Sequence, residues 1–338
     1  MTTAVYVSNA DSAEISVLRL GEDGEDGVVV PVRTVSVGGA VMPLAVSPDR
    51  RYLYASLRSR PYSVACFEID SGTGDLTELA TAPLPDNMAY LSTDRTGRYL
   101  LAASYAGSVI SMNAIGAGGI VESEPIEVLA TPPHAHSIVT DPSNRYLFAA
   151  VLGGDAILQY RFDPATGLPT PNTPAFISTK PGAGPRHLVF HPGGRFVFSA
   201  NELDGTVGSY EFDAGTGHLI PVDTYSAVPE GCSEPWVAEL RLTPDGRYLY
   251  VSERRSSTIA GFRVDSRSGA LEPLGHTATQ DCPRGMGIDP SGRYLLAAGQ
   301  ESHALSVYEI DAGTGALGPR GEHAVGRNPN WVELVELP

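Results

Sequence analysis

Apolar and polar residues alternate in short runs along this chain, and the runs are divided by turns of a recurring kind. Residues 242–250 show the pattern in full: Leu-Thr-Pro-Asp-Gly-Arg-Tyr-Leu-Tyr. An apolar strand end is followed by a polar turn and then by alternating aromatic and aliphatic positions. Proline and aspartate initiate such a turn and glycine accepts a positive φ, so the stretch predicts a β-hairpin. Its relatives begin near Ser47, Thr93, Thr140, Phe190 and Ile288, and the matching arginines are Arg51, Arg98, Arg145, Arg195, Arg247 and Arg293. Their successive separations are 47, 47, 50, 52 and 46 residues, a period that indicates a repeated blade rather than one continuous core.

A second hairpin signal interlocks with the first. Residues 64–76 read Val-Ala-Cys-Phe-Glu-Ile-Asp-Ser-Gly-Thr-Gly-Asp-Leu, a strand, a polar turn and the start of another strand. Similar segments lie at 157–168, 207–219, 259–271 and 305–317. Residues 109–120 are a degraded copy, and 15–28 are another, with Gly-Glu-Asp-Gly-Glu-Asp-Gly in its turn. Together the two signals predict four antiparallel strands per unit, near 238–242, 248–252, 258–264 and 271–278 for the fifth. Innermost strands are expected to begin near Pro43, Met88, His136, Arg186, Val237, Gly285 and Trp331, which makes seven blades. Only six have a complete downstream hairpin. Residues 4–9 and 15–20 supply the missing strands from the other end of the chain. The expected fold is therefore all-β: one seven-bladed β-propeller domain over residues 1–338, its last blade closed by both termini. Closure removes free sheet edges, and a β-sandwich does not account for the interlocking repeats.

Composition narrows the function. The chain carries 39 Asp+Glu against 23 Lys+Arg, a formal charge of -16, and no basic run. That field argues against nucleic acid as a partner, although a few converging arginines can still bind a small anion in a cleft. The three cysteines, Cys66, Cys232 and Cys282, are too widely spaced for a disulfide framework or a zinc motif. The sequence has no 20-residue apolar segment and no basic, then apolar, start. A soluble cytoplasmic protein without a membrane partner is the expectation.

Repetition separates scaffold from site. The arginine-aromatic pair after each Pro-Asp-Gly-type turn recurs six times and is assigned structural work, anchoring its hairpin. The Asp-x-x-Thr-Gly segments lack the dense oxygen ligands of a calcium loop and read as polar turns. Both kinds of turn are expected on the bottom face and outer rim. Residues that break the repeat on the opposite, top face carry more functional weight. One set, before the inner strands, comprises His134, His136, Arg186, His187, Glu234, Trp236, Arg284, Asn330 and Trp331. The other, between second and third strands, comprises Arg58, Tyr105, Asn201, Glu202, Glu253, Arg254, Gln300 and His303.

The sharpest cluster is Gly182-Ala-Gly-Pro-Arg186-His187 with Asn201-Glu202, joined by His136 one blade earlier and Arg284 two blades later. A carboxylate or a neutral imidazole can activate water, and arginine can stabilise charge developing on a carbonyl oxygen. The bland reading stands beside it: a top-face histidine that only packs, and an Arg-Glu pair that is only a salt bridge. No short metal-ligand motif appears, Ser104 lacks a nucleophile elbow, and neither Cys232 nor Cys282 sits in a Cys-His arrangement. No cofactor and no metal are expected.

These residues resemble the bacterial cycloisomerase-like, seven-bladed-propeller class of 6-phosphogluconolactonase. The resemblance spans nearly the whole chain. It runs from Val5-Tyr-Val-Ser8 through Ser47-Pro-Asp-Arg-Arg51-Tyr-Leu-Tyr54 and Gly184-Pro-Arg186-His187-Leu-Val-Phe-His-Pro192. It continues through Asn201-Glu202-Leu203, Thr279-Gln-Asp-Cys-Pro-Arg284-Gly285 and Ala297-Ala-Gly-Gln300. The Pro-Arg-His and Asn-Glu combination is its most specific part. It implies hydrolysis of 6-phospho-D-glucono-1,5-lactone to 6-phosphogluconate, in a cytoplasmic carboxylic ester hydrolase that needs neither nucleotide nor obligatory metal. In the related muconate-lactonizing class, the His, Arg and Glu of the site match His136, Arg186 and Glu202; either Arg254 or Arg284 matches a further arginine.

On that resemblance, Glu202 or His136 is expected to act as general base and Arg186 to stabilise the oxyanion. Arg284 and Arg254 are expected to contact phosphate, with His187 and Asn201 completing the substrate-binding set. The expected partner is a small phosphorylated sugar lactone, and the expected state a monomer or weak homodimer. Two other readings are a lactone-forming or lactone-opening enzyme on a carboxylated substrate such as a muconate, and a noncatalytic propeller that binds a peptide, protein or small ligand.

Overall fold

The computed structural model describes residues 2–21 and 28–337; most of the predicted Gly-Glu-Asp-Gly-Glu-Asp-Gly turn lies outside the described residues. Its strands form seven four-stranded antiparallel sheets, arranged as blades around a ring. The innermost strands are Val41–Val46, Met88–Thr93, Ala135–Thr140, Pro185–Phe190, Val237–Leu242, Pro283–Ile288 and Pro329–Glu336, and each packs beside the next. These are the predicted seven, numbered here as blades 1 to 7.

Blade 7 is built from both ends of the chain. Its order is Pro329–Glu336, Thr3–Asn9, Glu14–Leu20, Val29–Ser36, and the first two strands pair Val332 with Val7 and Leu334 with Val5. Burial falls with distance from the axis. The second strand of blade 3, Tyr146–Val151, is buried at every position, whereas its outermost strand, Leu168–Ser178, is largely exposed. The second strands are therefore apolar on both faces, because a neighbouring blade covers each face.

The repeated arginine-aromatic pair fastens one blade to the next. In six turns the guanidinium lies 4.9–5.7 Å from the ring that follows it. In blade 3 the Asp141 carboxylate holds the backbone N–H groups of Arg145 (2.8 Å) and Tyr146 (2.7 Å). The two side chains then cross to the Asp-x-x-Thr-Gly turn of blade 4. Arg145 Nη2 donates to the Ala214 carbonyl at 2.6 Å and the Tyr146 hydroxyl to that of Gly215 at 2.8 Å. Blade 2 repeats the construction, with the Tyr99 hydroxyl on Ala165 O (2.8 Å) and Arg98 on Pro164 O. The scaffold role expected for these pairs is what the structure shows, and it joins blades as well as shaping hairpins.

The end of each such turn must be glycine. Gly217 has φ +77°, and a Cβ there would stand 2.1 Å from Tyr146 Cδ1. Gly231 has φ +80° but nothing within 4 Å of the same position. Both Gly→Ala changes incur the left-handed backbone cost of roughly 1–2 kcal/mol. Only Gly217→Ala adds overpacking of about 1–3 kcal/mol. Thermal denaturation of the two variants should therefore place Gly217→Ala clearly below Gly231→Ala; equal midpoints would mean that the ring-on-glycine contact does not hold the blades.

Candidate functional site

Three residues of one cluster share a local construction that Asn330 of blade 7 also shows. In blade 4, Pro185 pairs with Asn201 and His187 with Ala200, so Arg186 is an extra, unmatched residue. In blade 3 the matched pairs are Ala135–Val151 and Ser137–Ala150, leaving His136 unmatched; in blade 6 they are Pro283–Gly299 and Gly285–Ala298, leaving Arg284. Such a β-bulge re-aims the side chain it carries. Two residues before each one, the backbone passes through positive φ, at His134 (67°), Gly184 (64°) and Cys282 (56°). The bulge is also why the adjacent Arg186 and His187 serve one cluster instead of opposite sheet faces.

Glu202 sits at the centre of that cluster. One carboxylate oxygen, Oε2, forms ion pairs with Arg186 Nε (2.8 Å) and Arg254 Nη2 (2.9 Å). Its other oxygen accepts the Trp236 indole N–H at 3.2 Å. Backbone carbonyls fix both arginines further: Arg186 Nη1 donates to Ala238 O (2.6 Å), Arg254 Nε to Trp236 O (3.0 Å) and Arg254 Nη2 to Val237 O (3.1 Å). The Arg254 guanidinium also stacks over the Trp236 ring, 3.8 Å from its centroid. Arg186 is 1% exposed and Glu202 8% exposed, so bulk water does little to weaken these contacts.

Burial opposes ionisation of Glu202, but the charges of Arg186, Arg254 and Arg284 outweigh it and hold its carboxyl below the ordinary value. It is a carboxylate at neutral pH. Burial and the charge of Arg186 push Arg254 down to about 10, which leaves it a cation. Arg284 is lowered well below its ordinary value by burial, then by Arg186, Arg254 and Arg58, and its Nε is buried without a hydrogen-bond partner. His136 is held well below the usual imidazole value by burial and by Arg186, His187 and Arg284. It is therefore neutral at pH 7, and its Nδ1 is buried with no partner.

The remaining residues sort cleanly. His187 is 1% exposed and lies behind Arg186; its ring meets those of His136 (5.1 Å between centroids), Tyr90 (4.9 Å) and Trp331 (5.6 Å). Tyr105 stacks on His134 at 4.1 Å and borders His136 at 5.8 Å. Asn201 is not brought to the cluster. Strand alternation places it on the face of Ser199, from whose hydroxyl it accepts (3.0 Å), and its amide donates to Thr206 Oγ1 (2.9 Å). Asn201 thus stands apart from this cluster, and His187 is buried against Arg186.

Three charges near the site escaped the sequence reading: Glu239, which is buried, and Arg241 and Glu333, which are partly exposed. They lie on inner strands in which the sequence shows only an interrupted apolar pattern, Val237-Ala-Glu-Leu-Arg241 being the clearest signal. Among the described residues, no group of three or more His, Cys, Asp or Glu side chains is arranged to hold a metal ion. The arrangement offers a neutral imidazole acceptor, a fixed pair of arginines and a third arginine with free donor capacity. That set suits a small anionic or carbonyl-bearing ligand.

Comparison with known proteins agrees with the fold. The family described as "Lactonase, 7-bladed beta-propeller" matches residues 2–334. The 6-phosphogluconolactonase of Pectobacterium carotovorum is 41% identical over 338 residues, the whole of both chains. That of Sodalis glossinidius is 40% identical over 337 residues, covering 99% of each. The periplasmic gluconolactonase of Pseudomonas aeruginosa superposes with a TM-score of 0.91 at 30% identity, over 100% of both chains.

Glu202→Gln removes the charge between two buried arginines and should lower stability at pH 7 by about 3 kcal/mol. The depressed carboxyl stabilises the fold above its unfolded value, and that contribution is lost as pH falls through the lower folded value. Thermal midpoints of wild type and variant should thus differ at pH 7 and converge in strong acid. A variant as stable as wild type at pH 7 would rule out the clamp as a stabilising element.

Proposed function

The chain belongs to the seven-bladed β-propeller lactonase family, and from this premise we propose that it hydrolyses 6-phospho-D-glucono-1,5-lactone to 6-phosphogluconate, the lactonase step of oxidative pentose phosphate metabolism. The observation that carries the reading is the neutral, buried His136, its Nδ1 unpartnered, beside the Arg186–Glu202–Arg254 clamp. It supports His136, rather than Glu202, as the proton acceptor. A carboxylate held by two guanidinium groups and an indole N–H has little basicity left to offer.

In the reaction, His136 takes a proton from water as the water oxygen bonds to the lactone carbonyl carbon. Charge develops on the carbonyl oxygen, and Arg186 stabilises it from a position fixed by Glu202 and Ala238 O. The tetrahedral centre collapses, the bond to the ring oxygen breaks, and imidazolium returns its proton to that oxygen. The hydroxyacid product then ionises. Arg254 is already committed to Glu202, Trp236 O and Val237 O, whereas Arg284 has a buried Nε without a partner. Arg284 is therefore the arginine that receives the substrate phosphate. Such lactones also open unaided in water, and a barrier reduction of about 4 kcal/mol is roughly a thousandfold. A site without a covalent nucleophile is adequate for that task.

The Pseudomonas relative is named for gluconolactone, which favours an unphosphorylated sugar lactone as a second reading. Among the described residues no helix is long and apolar enough to cross a membrane, and a cytoplasmic location follows from the phosphorylated substrate proposed here.

Two measurements test this. Stopped pH-stat hydrolysis of both lactones, corrected for spontaneous opening, should show preference for the phosphorylated one; equal rates would favour the second reading. His136→Gln should lower kcat by roughly a hundredfold or more. Wild-type kcat/KM should stay level as pH falls to 6.5, because His136 is still neutral there, and decline only below it. A decline centred above pH 6.5 would exclude His136 as the base.

A further inference from the structure

From Arg186 a chain of polar side chains, buried at His187 and Glu239 and partly exposed at Arg241 and Glu333, crosses the inner strands of blades 4, 5 and 7. Arg186 Nη1 stands over the His187 ring, 3.0 Å from Nε2 and 3.3 Å from Nδ1, and His187 Nδ1 lies 2.9 Å from Glu239 Oε1. Glu239 Oε2 is 3.5 Å from Arg241 Nη2, which is 3.9 Å from Glu333 Oε1; that oxygen accepts the Trp331 indole N–H at 2.8 Å. Glu239 and His187 are each 1% exposed, and Glu239 has no part in the chemistry above.

Hydrogen-bond logic fixes the middle of this chain. A carboxylate oxygen accepts, so a neutral His187 carries its proton on the Nδ1 that faces Glu239 Oε1. Burial, together with Arg186 and Arg241, lowers the His187 imidazole well below its ordinary value, which keeps the ring neutral. Glu239 is itself fixed: Oε1 also accepts the Leu240 N–H (3.0 Å), and its backbone N–H donates to Ser252 Oγ (3.0 Å).

We propose that Glu239 is a positioning residue for lactone opening: it fixes the Nδ1–H form and the orientation of the His187 ring, against which the Arg186 guanidinium rests. The proposal rests on the lactonase reading for the role of Arg186. Second partners of this kind set ring orientation and tautomer, and their loss typically lowers activity by roughly 10–100-fold.

The test uses the full chain with Glu239→Gln, Glu239→Leu and the double variant Glu239→Leu/Arg241→Met. The double variant also removes the charge of Arg241, which the single leucine change leaves with Glu333 alone at 3.9 Å. Glutamine keeps an oxygen that accepts from Nδ1–H and should keep most of the wild-type kcat. The leucine variants should lose roughly tenfold or more in kcat. In parallel, nitrogen NMR of the histidine rings should show the Nδ1–H form of His187 in wild type and Glu239→Gln, and a mixture in the leucine variants. A Nε2–H form in wild type, folded leucine variants with full kcat, or failure of glutamine to preserve the rate would each overturn the proposal. If wild type opened neither lactone yet kept the Nδ1–H form in a Glu239-dependent way, the lactonase reading would fail while the positioning role stood.

Discussion

A four-stranded blade of this sequence is apolar on both faces, and water must be kept from both. That constraint decides the architecture. Each blade needs two neighbours, the series of neighbours must close, and closure here is the pairing of Pro329–Glu336 with Thr3–Asn9. The arginine-aromatic pairs then hold adjacent blades at fixed separation from below. With the bottom face committed to this fastening, the top ends of the inner strands are free to depart from regular pairing. They do so as bulges.

The site is built from those departures. Blades 3, 4 and 6 each use one unmatched residue to turn a polar side chain inward, and the three are His136, Arg186 and Arg284. Three cations and an imidazole close together are unfavourable unless something compensates. Glu202 compensates by pairing with two of the arginines. Burial and the neighbouring arginines leave His136 neutral, and Arg284 keeps a buried Nε without a partner. The chain from His187 through Glu239 to Glu333 ties the cluster to the ring.

Much of this was legible in the sequence, and the limits have physical causes. The spacing of six arginines gave the blade repeat, because a turn that must dock on its neighbour cannot vary much, and seven innermost-strand starts gave the blade number. Residues that broke the repeat, Arg186, His136, Glu202 and Arg284, led to the cluster. Asn201 stands apart from the cluster although it adjoins Glu202, because its side chain turns to Ser199. Glu239 and Arg241 were passed over because a charge on a strand usually marks a solvated face. Only the packed inner ring reveals that Glu239 is buried. The bulges themselves have no sequence signal here beyond a positive-φ residue two places earlier, which was glycine only at Gly184.

The shared blade also governs how the protein comes into being on the ribosome. Thr3–Asn9 is made well before its inner partner, Pro329–Glu336. Until that partner is made, the inner edge of Thr3–Asn9 has no strand to pair with. The clasp that makes the finished ring durable makes the unfinished one vulnerable.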